Sequence, residues 1–79
     1  MPNKQSQGEL FERAAKCQRA FEATTDAQDR ATLRVLRDLW MNLANASLSM
    51  TEAEVAKEIA VIENVHAAAF GRGEGKAAE

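Results

Sequence analysis

Residues 26–55 read DAQDRATLRVLRDLWMNLANASLSMTEAEV and contain the longest predicted helix together with its end. Apolar residues recur in this stretch at steps of three and four, at Leu36, Leu39, Leu43 and Ala46. That spacing is typical of one face of an amphipathic helix. Residues 9–70 contain no proline or glycine and are rich in strong helix formers. The sequence therefore predicts an all-α fold.

A helix boundary is predicted near residues 49–51. An ideal helix turns by about 1,200° between Leu43 and Val55, so one straight helix would place these two residues on different faces. Thr51 and Glu54 also have the spacing of a capping box, in which each side chain accepts a hydrogen bond from the backbone of the other residue. The pattern therefore predicts that a new helix begins here.

An earlier turn is predicted at residues 24–26. Thr25 and Gln28 have the spacing of a second capping box, and Asp26 suits the positive end of a helix. A turn this short implies that the two helices it joins are antiparallel neighbours.

The chain is therefore predicted to form three helices, over residues 9–23, 26–48 and 51–70. Residues 1–8 and the glycine-rich residues 71–79 have little to bury and are predicted to be a flexible N-terminus and a flexible tail. A 79-residue chain with one cysteine has a thin core and no intrachain disulfide to support it. Two architectures follow. One is a compact three-helix bundle, and the other, which we favour, is a helical hairpin whose apolar surface is completed by a second copy.

The second helix carries the widest apolar face. At about 1.5 Å per residue it spans about 34 Å, which is more than the predicted first helix can cover. Trp40 suits either the core of a bundle or the centre of an interface, because interfaces are enriched in tryptophan and methionine. The predicted interface residues are Leu36, Leu39, Trp40, Leu43 and Met50. We expect a homodimer, since two-fold symmetry is the commonest closed assembly.

Three arginines, Arg30, Arg34 and Arg37, share one edge of the second helix. Their carboxylate partners are predicted to be Asp26 for Arg30, Asp38 for Arg34, and the glutamates of the third helix. An acidic protein partner or a nucleic-acid phosphate is the functional alternative. The net charge of −2, the sequence pI near 5.4 and the lack of aromatic residues between the arginines disfavour nucleic acid.

Cys17 and His66 are the candidates for chemistry. Cys17 lies on the apolar stripe of the first helix and is expected to act as a small hydrophobic residue, with a redox thiol or an interchain disulfide as alternatives. His66 continues the stripe of the third helix and is expected to face inward. No third group orients this pair, and the single Glu63–His66 spacing falls short of a metal site. The sequence therefore predicts no enzyme, no cofactor and no metal.

A longer pattern extends from Glu12 to Ala44 and consists mainly of core and cap residues. Its members are Cys17, Ala20, Thr24, Asp26, Arg30, Leu33, Leu36, Trp40, Leu43 and Ala44. This pattern resembles a group of short helical proteins from alphaproteobacteria, and it does not reach the third helix. The resemblance implies a bacterial, cytoplasmic, helical-hairpin protein and carries over no catalytic residue.

No apolar run approaches the length of a membrane span, so we expect a soluble cytoplasmic protein. The expected function is that of a small non-enzymatic interaction or assembly module. The alternative is a nucleic-acid-binding regulator that uses the three arginines. Its recognition helix would have to be the third helix, which is acidic.

Overall fold

The structure is a computed structural model and describes residues 3–71 of the chain. Over these residues it has three α-helices, namely α1 (Asn3–Ala23), α2 (Ala27–Ala46) and α3 (Glu52–His66). A 3₁₀ turn at Ser47–Ser49 leads from α2 towards α3, and a π-helical turn at Ala67–Gly71 follows α3. The predicted all-α, three-helix fold is confirmed.

The core lies where the apolar faces of the three helices meet. Its buried members are Leu10, Ala14 and Cys17 of α1, Leu36, Trp40, Leu43 and Ala44 of α2, and Val55 and Ile62 of α3. The partly buried Leu39, Met50, Ile59 and Phe70 pack against them. Of the two expected architectures, the structure therefore has the compact three-helix bundle.

α1 begins at Asn3, before the predicted start at Glu9. Gly8 lies inside the helix, where it has no positive φ and where a side chain would meet open space. The side-chain amide of Gln7 donates a hydrogen bond to the carbonyl of Ala44, at 3.0 Å. This contact ties the second turn of α1 to the end of α2. Residues 3–8 are helical, whereas the sequence predicts a flexible segment there.

α2 begins with Asp26 as its N-cap. The Asp26 carboxylate accepts a hydrogen bond from the backbone N–H of Asp29, at 2.9 Å. The predicted capping box of Thr25 and Gln28 is therefore wrong, because the carboxylate one residue later takes the capping position. At the other end, the buried Ser47 hydroxyl donates to the Ala44 carbonyl at 2.8 Å.

α3 begins with the predicted capping box. The Glu54 N–H donates to the Thr51 hydroxyl at 3.1 Å, and the Thr51 N–H donates to the Glu54 carboxylate at 2.9 Å. The predicted boundary near residues 49–51 is confirmed. The predicted tail lies outside the described residues from position 72 onward, as do positions 1–2.

Candidate functional site

The five predicted interface residues divide into two groups. Leu36, Trp40 and Leu43 are buried in the core of the chain itself, and Leu36 is 0% exposed. Trp40 and Leu43 are 4% and 7% exposed, so the three residues have little surface left to offer a partner in this conformation. Leu39 and Met50 are half-buried and pack on the core from its edge, where they remain partly accessible.

Leu39 and Met50 belong to a groove of about 300 Å³ between α2 and α3. We call it the α2–α3 groove, and it is lined by Leu39, Asn42, Leu43, Ala46, Met50, Glu58, Val61 and Ile62. Asn42 and Glu58 are the two polar members of this set. The groove is therefore an apolar channel with one amide and one carboxylate.

Two exposed valines extend the apolar surface beyond the groove. Val35 lies one turn before Leu39 on α2, and Val65 lies one turn after Val61 on α3, so each shares a face with a lining residue. Val35, Val61 and Val65 are 53%, 51% and 38% exposed, respectively. Leu39 on the α2 wall was predicted from the sequence as an interface residue, whereas the α3 wall was not predicted. The available signal was the apolar pair Val61 and Val65, which lies off the buried stripe of α3.

Arg30 does not pair with the Asp26 carboxylate as predicted. Its guanidinium donates to the carbonyls of Phe21 and Thr24, both at 3.1 Å, and lies 4.1 Å from the centroid of the Phe21 ring. The Asp26 side chain is instead engaged by its own helix terminus. Arg30 therefore caps the C-terminal end of α1, because it donates hydrogen bonds to carbonyl groups there.

The contacts of Arg34 and Arg37 also differ from the predicted ion pairs. Arg37 donates to the Gln18 side-chain oxygen at 2.7 Å and forms an ion pair with Asp38 at 2.9 Å. The predicted Arg34–Asp38 pair is therefore not formed. Arg34 is exposed and makes no side-chain hydrogen bond or ion pair with the residues that the structure describes. Two of the three arginines thus link α1 to α2, and one faces solvent.

A second cleft, of about 360 Å³, lies beside Trp40. It is lined by Arg13, Lys16, Cys17, Trp40, Glu63 and His66. The Arg13 guanidinium bonds the Glu63 carboxylate at 2.8 Å and lies 4.8 Å from the centroid of the Trp40 ring. Arg13 therefore connects all three helices at their surface.

This cleft brings Cys17 and His66 to one place without activating the thiol. Burial raises the pKa of the Cys17 thiol, because the apolar surroundings disfavour the thiolate. His66 is exposed, so its predicted inward orientation is wrong. Phe70, one turn later, packs on the core instead, and the His66 ring lies 5.1 Å from the Phe70 ring.

Within residues 3–71, no group of three or more histidine, cysteine, aspartate or glutamate side chains is arranged to hold a metal ion. None of the helices described by the structure is both long enough and apolar enough to cross a membrane.

Comparisons of the chain with protein-family models, with curated proteins and with solved structures find no match. The resemblance of residues 12–44 to short alphaproteobacterial helical proteins therefore stays a prediction. Function has to be inferred from the surfaces of the bundle, among which the α2–α3 groove has a mainly apolar lining.

Proposed function

We propose that the chain is a small, non-enzymatic helical interaction module that binds a protein partner through the α2–α3 groove. The observation that supports this proposal is the exposed apolar wall of the groove, where Val61 keeps about half of its surface in water beside Leu39 and Met50. Covering apolar surface is favourable by about 25 cal/mol per Å². Contiguous apolar surface with polar neighbours is typical of interaction sites.

The same groove is the surface that a homodimer would use. Leu36, Trp40 and Leu43 are already covered within one chain, so self-association through them would require the bundle to open. The resemblance of residues 12–44 supports a bacterial, cytoplasmic setting for this module.

Nucleic-acid binding through the three arginines is less well supported. Arg30 and Arg37 would have to give up contacts that hold α1 against α2 before they could reach a phosphate. Only Arg34 is exposed without such a contact. One cation supplies little of the charge that phosphate binding requires.

The proposal can be tested by selecting helical peptides from a displayed library against the folded protein. The informative variant is Val61→Glu, which places a carboxylate on the wall of the groove. Its matched control is Ala60→Glu, an equal change of charge at the adjacent exposed position on the solvent side of α3. Circular dichroism would verify that both variants keep their helices.

We expect the selected peptides to bind wild type and Ala60→Glu equally. Binding to Val61→Glu should be at least about tenfold weaker, because burying an unpaired carboxylate against apolar groups is unfavourable. Peptides that bind all three proteins alike, or no enrichment at all, would contradict the proposal.

A further inference from the structure

We infer that the occupant of the α2–α3 groove is an amphipathic helix of another protein, with an apolar stripe bordered by lysine or arginine. This inference rests on the proposed function and specifies the partner of the same groove. Two properties of the groove support it, namely the chemistry of its walls and the sign of its charge.

The walls of the groove favour a helix over an extended peptide. Apart from Asn42 and Glu58, the lining side chains offer no hydrogen-bonding group. An extended peptide would therefore leave many of its backbone N–H and C=O groups unpaired against apolar side chains. A helix satisfies those groups internally and can present residues at steps of three and four to a channel between two helices.

The charge of the groove favours a basic border on that helix. Glu58 is the charged residue among the lining side chains, and the α2 residues that line the groove, Leu39, Asn42, Leu43 and Ala46, carry no charge. Residues 50–70 contain four glutamates and one lysine, which makes this segment net −3. One of the four, Glu63, is already paired with Arg13 on another face. A lysine or arginine near Glu58 would be attracted, whereas an acidic border would be repelled.

Two other occupants, a second copy of the chain and the segment after Gly71, fit the groove less well than a foreign helix. A two-fold dimer through the groove would bring the Glu58 carboxylates of two copies into one interface, and among the residues that the structure describes no cation lines the groove to compensate. The eight residues after Gly71, RGEGKAAE, supply only alanines as apolar groups and have no large apolar side chain to fill the channel. A foreign helix with basic borders satisfies both the apolar walls and Glu58.

The test uses the same displayed library, with the border positions of each helix randomised among lysine, arginine, glutamine and glutamate. We expect lysine and arginine to be enriched among peptides that lose binding to Val61→Glu but not to Ala60→Glu. An enriched synthetic peptide should then bind Glu58→Lys about fivefold more weakly than wild type, with a smaller difference at high salt. Glu12→Lys, an equal change of charge at an exposed position of α1, should leave binding within about twofold.

The outcomes separate this inference from the proposed function. Groove-dependent peptides with neutral or acidic borders would overturn the inference and leave the interaction module in place, whereas a lack of groove-dependent peptides would overturn both. Light scattering across a tenfold dilution tests the remaining occupant. A persistent dimer that Val61→Glu dissociates and Ala60→Glu does not would assign the groove to a second copy and overturn the inference.

Discussion

Arg30 and Arg34 lie on the same edge of α2 but have different surroundings. The Arg30 guanidinium donates to two carbonyls at the end of α1 and stacks on Phe21, while Arg34 faces solvent. We expect Arg30→Gln to lower the free energy of unfolding by about 1–2 kcal/mol, because the carbonyls lose a charged donor and the ring loses a cation. Arg34→Gln should change it by less than about 0.5 kcal/mol. Urea unfolding followed by circular dichroism measures both, and equal effects would contradict the capping role of Arg30.

The Cys17 thiol provides a second prediction for a single residue. Its pKa in the folded protein is raised above the ordinary value of 9.0, because burial disfavours the thiolate. The unfolded chain therefore releases this proton at lower pH than the folded chain does. The buried, protonated thiol therefore contributes stability that is fully present below about pH 9 and is lost as the pH rises through the pKa of the folded state.

Between about pH 8 and pH 10, the free energy of unfolding of wild type should thus fall more steeply than that of Cys17→Ala. Denaturant titrations of both proteins at several pH values give the two slopes. Cys17→Ala also loses packing. That loss lowers its free energy of unfolding by the same amount at every pH, so the difference between the two slopes still reports the thiol. Parallel curves would show that the thiol is not shielded from water in the folded state.

The spacing of the arginines could be predicted from the sequence, but their partners could not. Steps of four and three place Arg30, Arg34 and Arg37 on one edge of a helix, and carboxylates four residues away are the nearest local partners. Apart from the local pair of Arg37 with Asp38, the acceptors that two of them use lie on α1 or in the turn after it, at Gln18, Phe21 and Thr24. Such contacts depend on how two helices pack, which local spacing does not specify.

At the scale of helices, the boundaries that depend on neighbouring residues were predictable, although at the start of α2 the cap is Asp26 and the predicted capping box of Thr25 and Gln28 does not form. The capping box of Thr51 and Glu54 joins residues three apart, so its spacing identified the start of α3. The start of α1 was missed because the bond from Gln7 to Ala44 joins residues far apart in the sequence. Gly8 is also an unfavourable helix residue, so local propensity predicted a later start than the packed structure has.

The capping box leads to a prediction about α3. Thr51→Ala should lower the free energy of unfolding by about 1 kcal/mol, because the Glu54 N–H loses its acceptor. α3 buries two residues, Val55 and Ile62, whereas α2 buries five, so α3 is held by fewer core contacts than α2. Hydrogen exchange in Thr51→Ala should therefore accelerate in α3 more than in α2. Thr51→Ser, which keeps the hydroxyl, serves as the control, and uniform acceleration in all three helices would contradict a local role for the cap.

For the whole molecule, the apolar stripes were visible in the sequence but the surface that covers them was not. Leu36, Trp40 and Leu43 would show the same spacing whether their cover came from α1 and α3 or from a second copy. The structure covers them from within, because the turn at Ser47–Ser49 and the cap at Thr51 let α3 fold back. Leu39 and Met50 stay partly open, and the groove they line was identified only after the α3 wall was placed beside them.

Leu36→Ala tests whether one copy supplies its own core. Leu36 is 0% exposed, so its truncation should lower the free energy of unfolding by about 2–5 kcal/mol. Val35→Ala, at the adjacent exposed position, should change it by less than about 0.5 kcal/mol. Because the side chains around Leu36 belong to the same chain, the urea midpoints of wild type and both variants should not vary across a tenfold range of protein concentration. A midpoint that rises with protein concentration would instead mean that folding is coupled to association, and that one copy does not stabilise this core by itself.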